Sequence, residues 1–168
     1  MKTLIIITGA PGTGKTTTAK ELHNILPNNA MLEGDWVRRI NPWELPPETK
    51  AMYEDNVVTV LGNYLKNSQI QNVIFSACCK NSEFIKAVLA RLSAHYKFNA
   101  QWYTLTCPNA TRVQRLRDDT NGEFIDARIE ITERDHWDTN YDDHDSTKID
   151  TTKLTARQVA EKIAKGAK

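Results

Sequence analysis

The sequence predicts an α/β fold, an open parallel sheet with helices packed on both faces. Two observations carry this prediction. Short β-branched runs alternate along the chain with longer stretches whose apolar residues recur at helical spacing. The length of 168 residues suits one domain, taken as 1–168, and a second independent core is not expected. A chain of this size buries roughly 70% of its unfolded surface, so no disulfide or structural metal is needed to hold it together.

Each element has its own signal. Thr3 to Thr8 is a compact apolar run ending in glycine, the mark of a strand buried on both sides. Lys15 to Leu26 follows as a helix, with Ala19, Leu22, Ile25 and Leu26 on one face and Pro27 beyond its end. Ala30 to Glu33 is a short second strand. The three prolines between Asn41 and Pro47 make a loop, and Glu48 to Lys66 has the apolar spacing of a long helix. Asn72 to Ala77 is a third strand, Ser82 to Tyr96 a helix, and Phe98 to Thr106 a fourth strand. The charged stretch from Asn109 to about Trp137 reads as two helices around the turn signal Asn121-Gly122. Thr147 to Asp150 is a fifth strand, and Leu154 to Lys165 an amphipathic helix with Thr155 at its N-cap.

Composition excludes several classes. The 22 Lys plus Arg against 21 Asp plus Glu give a net charge of +1, which offers no general reason to expect nucleic acid or an anionic membrane as partner. Charged residues at 26% and hydrophobic residues at 40% are ordinary for a folded domain. No apolar run approaches the roughly 18 residues of a membrane span. Lys2 and Leu4 to Ile7 faintly mimic a secretion signal, but the glycines and Lys15 interrupt it before a cleavage pattern. Cys78, Cys79 and Cys107 lack metal-ligand spacing and read as reduced thiols, so a cytoplasmic protein is expected.

Between the first strand and first helix lies Gly9-Ala10-Pro11-Gly12-Thr13-Gly14-Lys15-Thr16-Thr17, which matches Gly-x-x-x-x-Gly-Lys-Ser/Thr. Glycines let the backbone approach a phosphate without a Cβ in the way. The resulting nest of N–H groups opens a helix, where the macrodipole already favours an anion. Lys15 adds a mobile charge for the β- and γ-phosphates, Thr16 a hydroxyl for Mg²⁺, and Thr17 a contact to a phosphate oxygen. At average residue frequencies such a match arises on the order of once per hundred or two hundred unrelated chains. Strand before and helix after make it more specific still.

A GTPase reading has one feature in its favour. Thr147-Lys148-Ile149-Asp150 resembles the guanine-reading Asn/Thr-Lys-x-Asp motif. The partner Asp-x-x-Gly, however, occurs only as Asp119-Thr120-Asn121-Gly122, within a charged helical stretch and too close to that motif. Larger ATPase machines carry an acid at the end of a hydrophobic strand, whereas Val73-Ile74-Phe75-Ser76-Ala77 ends without one.

The length, the early phosphate loop and the charged segment before the last strand resemble the small P-loop kinases. That group contains the adenylate, gluconate, shikimate, chloramphenicol and polynucleotide-end kinases. The likeness spans nearly the whole chain, and its nearest form is the small AAA-type ATP-binding kinases, with Glu33-Gly34-Asp35 after the second strand and Ile149-Asp150-Thr151 near the end. The resemblance implies a three-layer P-loop NTPase fold with a five-stranded parallel sheet in order 2-3-1-4-5. It also implies a helical lid at about 108–137.

Beyond the loop, Asp35 ends the second strand, and ligands of open α/β sheets bind beyond the strands' carboxyl ends. A carboxylate there can take a proton from an acceptor hydroxyl, or hold Mg²⁺ through water. The bland alternative is a cap for Trp36 to Ile40. Gly34-Asp35-Trp36-Val37-Arg38 also looks like the Gly-Asp-x-x-Arg stretch of nucleoside monophosphate kinases, whose arginine grips the acceptor phosphate. Where those kinases carry Asp-Gly-Phe-Pro-Arg, this chain reads Ser76-Ala77-Cys78-Cys79-Lys80. Arg38 and Arg39 are otherwise solvated helix-face charges. Arg112, Arg115 and Arg117 begin the segment in which the resembling kinases place lid arginines. Arg115 and Arg117 are chosen for nucleotide or transition-state contacts, ahead of Arg128 and Arg134, against the alternative of surface ion pairs.

Lys153 and Leu154 follow the last strand, where related kinases wrap the adenine. His136 and His144 among neighbouring aspartates read as a solvated acidic loop rather than a metal site. Trp36, Trp43 and Tyr53 either line an acceptor pocket or pack in the core. The expectation is an ATP- and Mg²⁺-dependent kinase acting on a small-molecule hydroxyl. Its alternatives are a nucleoside monophosphate kinase and an ATP-binding regulatory module without transferase activity.

Overall fold

The computed structural model describes residues 1–41, 46–79, 81–119, 126, 129–130 and 145–166. Within them a five-stranded sheet has the order β2-β3-β1-β4-β5. The strands are β1 (Lys2–Gly9), β2 (Asn29–Glu33), β3 (Asn72–Ala77), β4 (Phe98–Thr106) and β5 (Thr147–Asp150), and every pairing is parallel. The helices are α1 (Lys15–Ile25), α2 (Pro47–Lys66), α3 (Glu83–Ser93), α4 (Asn109–Asp118) and α5 (Ala156–Gly166). A 3₁₀ turn, Gly34–Arg38, follows β2 directly. The predicted fold class and strand order are both found.

β1 explains the layering. It lies between β3 and β4, with Ile5 opposite Ile74 on one side and Ile6 opposite Trp102 on the other. Leu4 and Ile6 enter a core with Val57, Leu61, Phe75, Val88 and Leu92, beneath α2 and α3. Ile5 and Ile7 enter a second core with Ala19, Leu22, Val159 and Ile163, beneath α1 and α5. A strand that feeds two cores has no polar face to show, hence its unbroken apolar run.

Several boundaries differ from the sequence reading. Pro47 belongs to α2 rather than to the loop, at the first position where its missing N–H costs nothing. α3 ends at Ser93 rather than Tyr96: the Ala94, His95 and Tyr96 amides close the end on Ala90 and Leu92 carbonyls. The turn at Asn121-Gly122 lies outside the described residues, and of the second helix of the charged stretch only 126 and 129–130 are described, all three helical. Thr155 caps α5 as expected, and the cap is reciprocal. The Gln158 amide donates to Thr155 Oγ1 at 3.2 Å, and the Thr155 amide to Gln158 Oε1 at 2.9 Å. Among the described residues no helix is long and apolar enough to cross a membrane.

Candidate phosphate-binding and acceptor site

The turns leaving β1, β2 and β3 converge on one cleft at the carboxyl edge of the sheet. It is lined by Lys15, Thr16, Glu33, Gly34, Asp35, Ser76, Ala77 and Cys78. A larger hollow of about 470 Å³, bounded by residues such as Met1, Leu89, Tyr96 and Phe98, lies at the opposite edge. Parallel strands start there and none of the residues from Gly9 to Thr17 lines it, so size does not identify the site.

The loop after β1 has the backbone its glycines permit. Gly9, Gly12 and Gly14 have φ of 147°, 79° and 91°. A Cβ on Gly9 would meet Leu105 O at 2.5 Å, and one on Gly12 would meet Arg112 O at 2.7 Å. Space, as well as torsion, therefore requires glycine at both. Gly14 caps α1 in the left-handed region, and the Thr18 amide donates to its carbonyl at 2.9 Å. The Ala10 carbonyl gathers Thr13 Oγ1 and Lys15 Nζ, each at 2.8 Å. Lys15 is thus folded against the loop, and its ammonium retains two further protons for an anion. Thr16 and Thr17 are exposed at the opening of α1.

Asp35 lies on the 3₁₀ turn, half exposed, and Arg38 Nη2 meets its Oδ1 at 2.5 Å. The N-cap position belongs to Glu33, and no side-chain cap is formed, so capping does not account for Asp35. Arg38 lies 5.8 Å from the centre of the Tyr53 ring. Tyr53 in turn stacks on Phe84 at 5.0 Å and packs against the α2–α3 core, while a Cβ on Gly34 would strike its hydroxyl. The core reading of Tyr53 holds for its ring, and its hydroxyl lies beside Gly34. Trp36 is 71% exposed. Trp43 and Lys80 lie outside the described residues.

Cys79 is buried behind the cleft. Burial, reinforced by Cys78, pushes its thiol up to about 12, against the opposing pull of Lys15 and Arg38. It stays protonated at neutral pH and is no nucleophile. Burial likewise raises the Tyr53 phenol above its ordinary range.

The charged segment is described from 109 to 119 and again at 126 and 129–130. Arg112 is 1% exposed, its backbone packed against Gly12 and its Nη2 donating to Asn109 Oδ1 at 3.1 Å. Sequence spacing marked it no more strongly than its neighbours, because burial of a charge has no local signal. Arg115 is half-buried and points its guanidinium at Thr151, whereas Arg117 is exposed. Lys153 is exposed after β5, and Leu154 packs into the α1–α5 core. Arg128, Arg134, His136, His144 and most of the lid at 108–137 lie outside the described residues.

The cradle passes a simple test of fit for a phosphate chain with its magnesium ion. Two glycines stand where any side chain would collide, a helix begins there, and one lysine and one exposed threonine follow.

A model of the AAA domain matches residues 5–137. No curated protein matches the sequence. Among solved structures, a tunicamycin resistance protein from Deinococcus radiodurans is 21% identical, covering 99% of this chain and 95% of its own, with a TM-score of 0.65. A sugar kinase from Janibacter sp. is 13% identical, covering 98% and 94%, with a TM-score of 0.70. A shikimate kinase from Acinetobacter baumannii, solved in complex with shikimate, is 18% identical, covering 98% and 92%, with a TM-score of 0.60. These likenesses establish a kinase-like P-loop fold.

Proposed function

The chain belongs to the AAA domain family, and from that premise we propose that it is an ATP- and Mg²⁺-dependent kinase transferring the γ-phosphoryl group to a hydroxyl of a small molecule. The observation that carries the reading is the shared cleft: Lys15 and Thr16 line it together with Asp35. A phosphate-binding loop and a candidate base on one wall make a two-substrate site.

The loop amides and Lys15 hold the β- and γ-phosphates, with Gly9 to Thr17 as the cradle. Thr16 would hold a magnesium ion through its hydroxyl, with Asp35 as a second holding residue. Bound there, the metal would neutralise charge on the phosphate oxygens. Asp35 accepts the proton of the acceptor hydroxyl as the new O–P bond forms, using the oxygen that Arg38 does not occupy. Arg38 steadies that carboxylate from the substrate side. Engagement with Asp35 leaves Arg38 poorly placed to grip an acceptor phosphate, which favours a hydroxyl acceptor over a nucleoside monophosphate. Arg117 and Lys153 extend the positive rim for the nucleotide, while the Arg115 guanidinium is turned to Thr151 instead.

The test is an ADP-release assay with MgATP across nucleosides, nucleotides, sugars and antibiotics. Acceptor-dependent ADP production that disappears in Asp35→Asn is expected. MgATP binding without transfer to any acceptor would instead make the chain a nucleotide-responsive module.

A further inference from the structure

This inference rests on the phosphate-loop reading above and concerns Thr151, to which that reading assigns no role. Thr151 follows β5 and is 2% exposed. Its amide donates to Thr106 O at the end of β4, at 2.8 Å. Its hydroxyl lies 3.2 Å from Thr106 O and 3.2 Å from Thr13 O in the phosphate loop. A hydroxyl has one proton to give. Since Thr106 O already receives the amide, Thr13 O is the acceptor that gains most. The hydroxyl can still accept, and Arg115 fills that capacity: Nη1 donates to Thr151 Oγ1 at 3.0 Å, and Nη2 to Thr151 O at 2.8 Å. A planar guanidinium donates to both oxygens of one residue from two separate nitrogens, a fork that a lysine's single nitrogen lacks.

We propose that Thr151 is a positioning residue of the phosphate loop, locked by Arg115, and that it sets the direction of the peptide between Thr13 and Gly14. In a planar trans peptide the carbonyl and the following N–H point to opposite sides. Holding Thr13 O toward Thr151 therefore turns the Gly14 N–H the other way, into the cradle. The charged donor on Thr151 strengthens the bond it passes on. Arg115 then influences the nucleotide through Thr151. Three regions distant in sequence (the first loop, the end of β4 with α4, and the turn after β5) are joined at this one hydroxyl.

The experiment is calorimetric titration with MgATP of the full chain and its Thr151→Val, Thr151→Ser, Arg115→Lys and Thr151→Val/Arg115→Lys variants. Thr151→Val keeps the shape and removes the hydroxyl, and about tenfold weaker MgATP affinity is expected. Thr151→Ser should return to within about twofold of the parent, and Arg115→Lys should reproduce the loss. The double variant should bind no more weakly than the worse single one, because both changes cut the same chain of bonds. Parent-like affinity in Thr151→Val, failure of Thr151→Ser to rescue, or additive losses would overturn the proposal. Should Thr151→Val not fold, the Thr151→Ser and Arg115→Lys pair decides by the same criteria. Affinity alone is read, so a chain that binds MgATP but phosphorylates no acceptor sinks the kinase reading and leaves this test standing. A parent chain that binds no MgATP overturns both.

Discussion

Asp35 and Arg38 stand one turn apart on the short 3₁₀ segment after β2, and their side chains meet at 2.5 Å. The pair fixes one carboxylate oxygen and leaves the other unengaged by Arg38. On the proposed reading, Asp35→Asn preserves the shape but removes the base. Turnover is expected to fall by about 10²- to 10⁴-fold while MgATP affinity stays within about twofold, measured by steady-state ADP release and calorimetry. Equal losses in both quantities would assign Asp35 to nucleotide binding instead.

Among the described residues lining the cleft, Lys15 carries the only side-chain cation. Lys15→Ala is expected to abolish detectable transfer and to weaken MgATP binding by at least about tenfold. Thermal stability should change by less than about 1 kcal/mol, since the lost bond to Ala10 O is half-buried and neutral at one end.

Gly12 and Gly14 separate strain from collision. Both have positive φ, but a Cβ on Gly12 meets the Arg112 backbone at 2.7 Å, whereas one on Gly14 meets nothing within 4 Å. Gly14→Ala should cost about 1–2 kcal/mol of folding stability from torsion alone. Gly12→Ala should cost more and displace α4. Urea denaturation of the two variants gives the ranking, and the reverse order would contradict the loop geometry.

Stability should fall in alkali. The Cys79 thiol ionises at about 12 in the folded chain against an ordinary value of 9.0, and the Tyr53 phenol shifts in the same direction from 10.0. Between those limits the folded state holds more protons than the unfolded one. The contribution is complete below pH 9 and is lost as pH rises toward 12, at up to about 1.4 kcal/mol per pH unit for each group. Denaturation midpoints at pH 8, 9.5 and 10.5 should decline, and Cys79→Ala should flatten that decline.

Thr155→Ala removes half of a reciprocal cap on α5. A loss of about 1 kcal/mol is expected from denaturant titration, with MgATP affinity unchanged.

The sheet was legible because its strands announce themselves twice. Asn72–Ala77, Phe98–Thr106 and Thr147–Asp150 fall where apolar or β-branched residues cluster between turn signals, and the observed bounds coincide. Ends set by tertiary contact were less legible. α3 stops at Ser93 because the chain turns back through Tyr96, whose ring lies against Gly62 of α2. At the site, the phosphate loop could be read locally because its glycines carry the conformation themselves. The Asp35–Arg38 pair was half-visible, with both residues picked out and their mutual contact missed. Thr151 was seen only as part of Ile149-Asp150-Thr151, since a bond to Thr13 crosses almost the whole chain and leaves no local pattern.

β1 occupies the middle of the sheet although its partners come much later: β3 beyond α1, β2 and α2, and β4 beyond α3. Neither of its hydrogen-bonding margins can be covered by a neighbour in sequence. A nascent or refolding chain must therefore carry Leu4 to Ile7 uncovered until distant segments arrive. Such non-local closure is slow and prone to sticking. The cradle is attached directly to that strand, so it can form only after the barrier to assembling the sheet has been crossed.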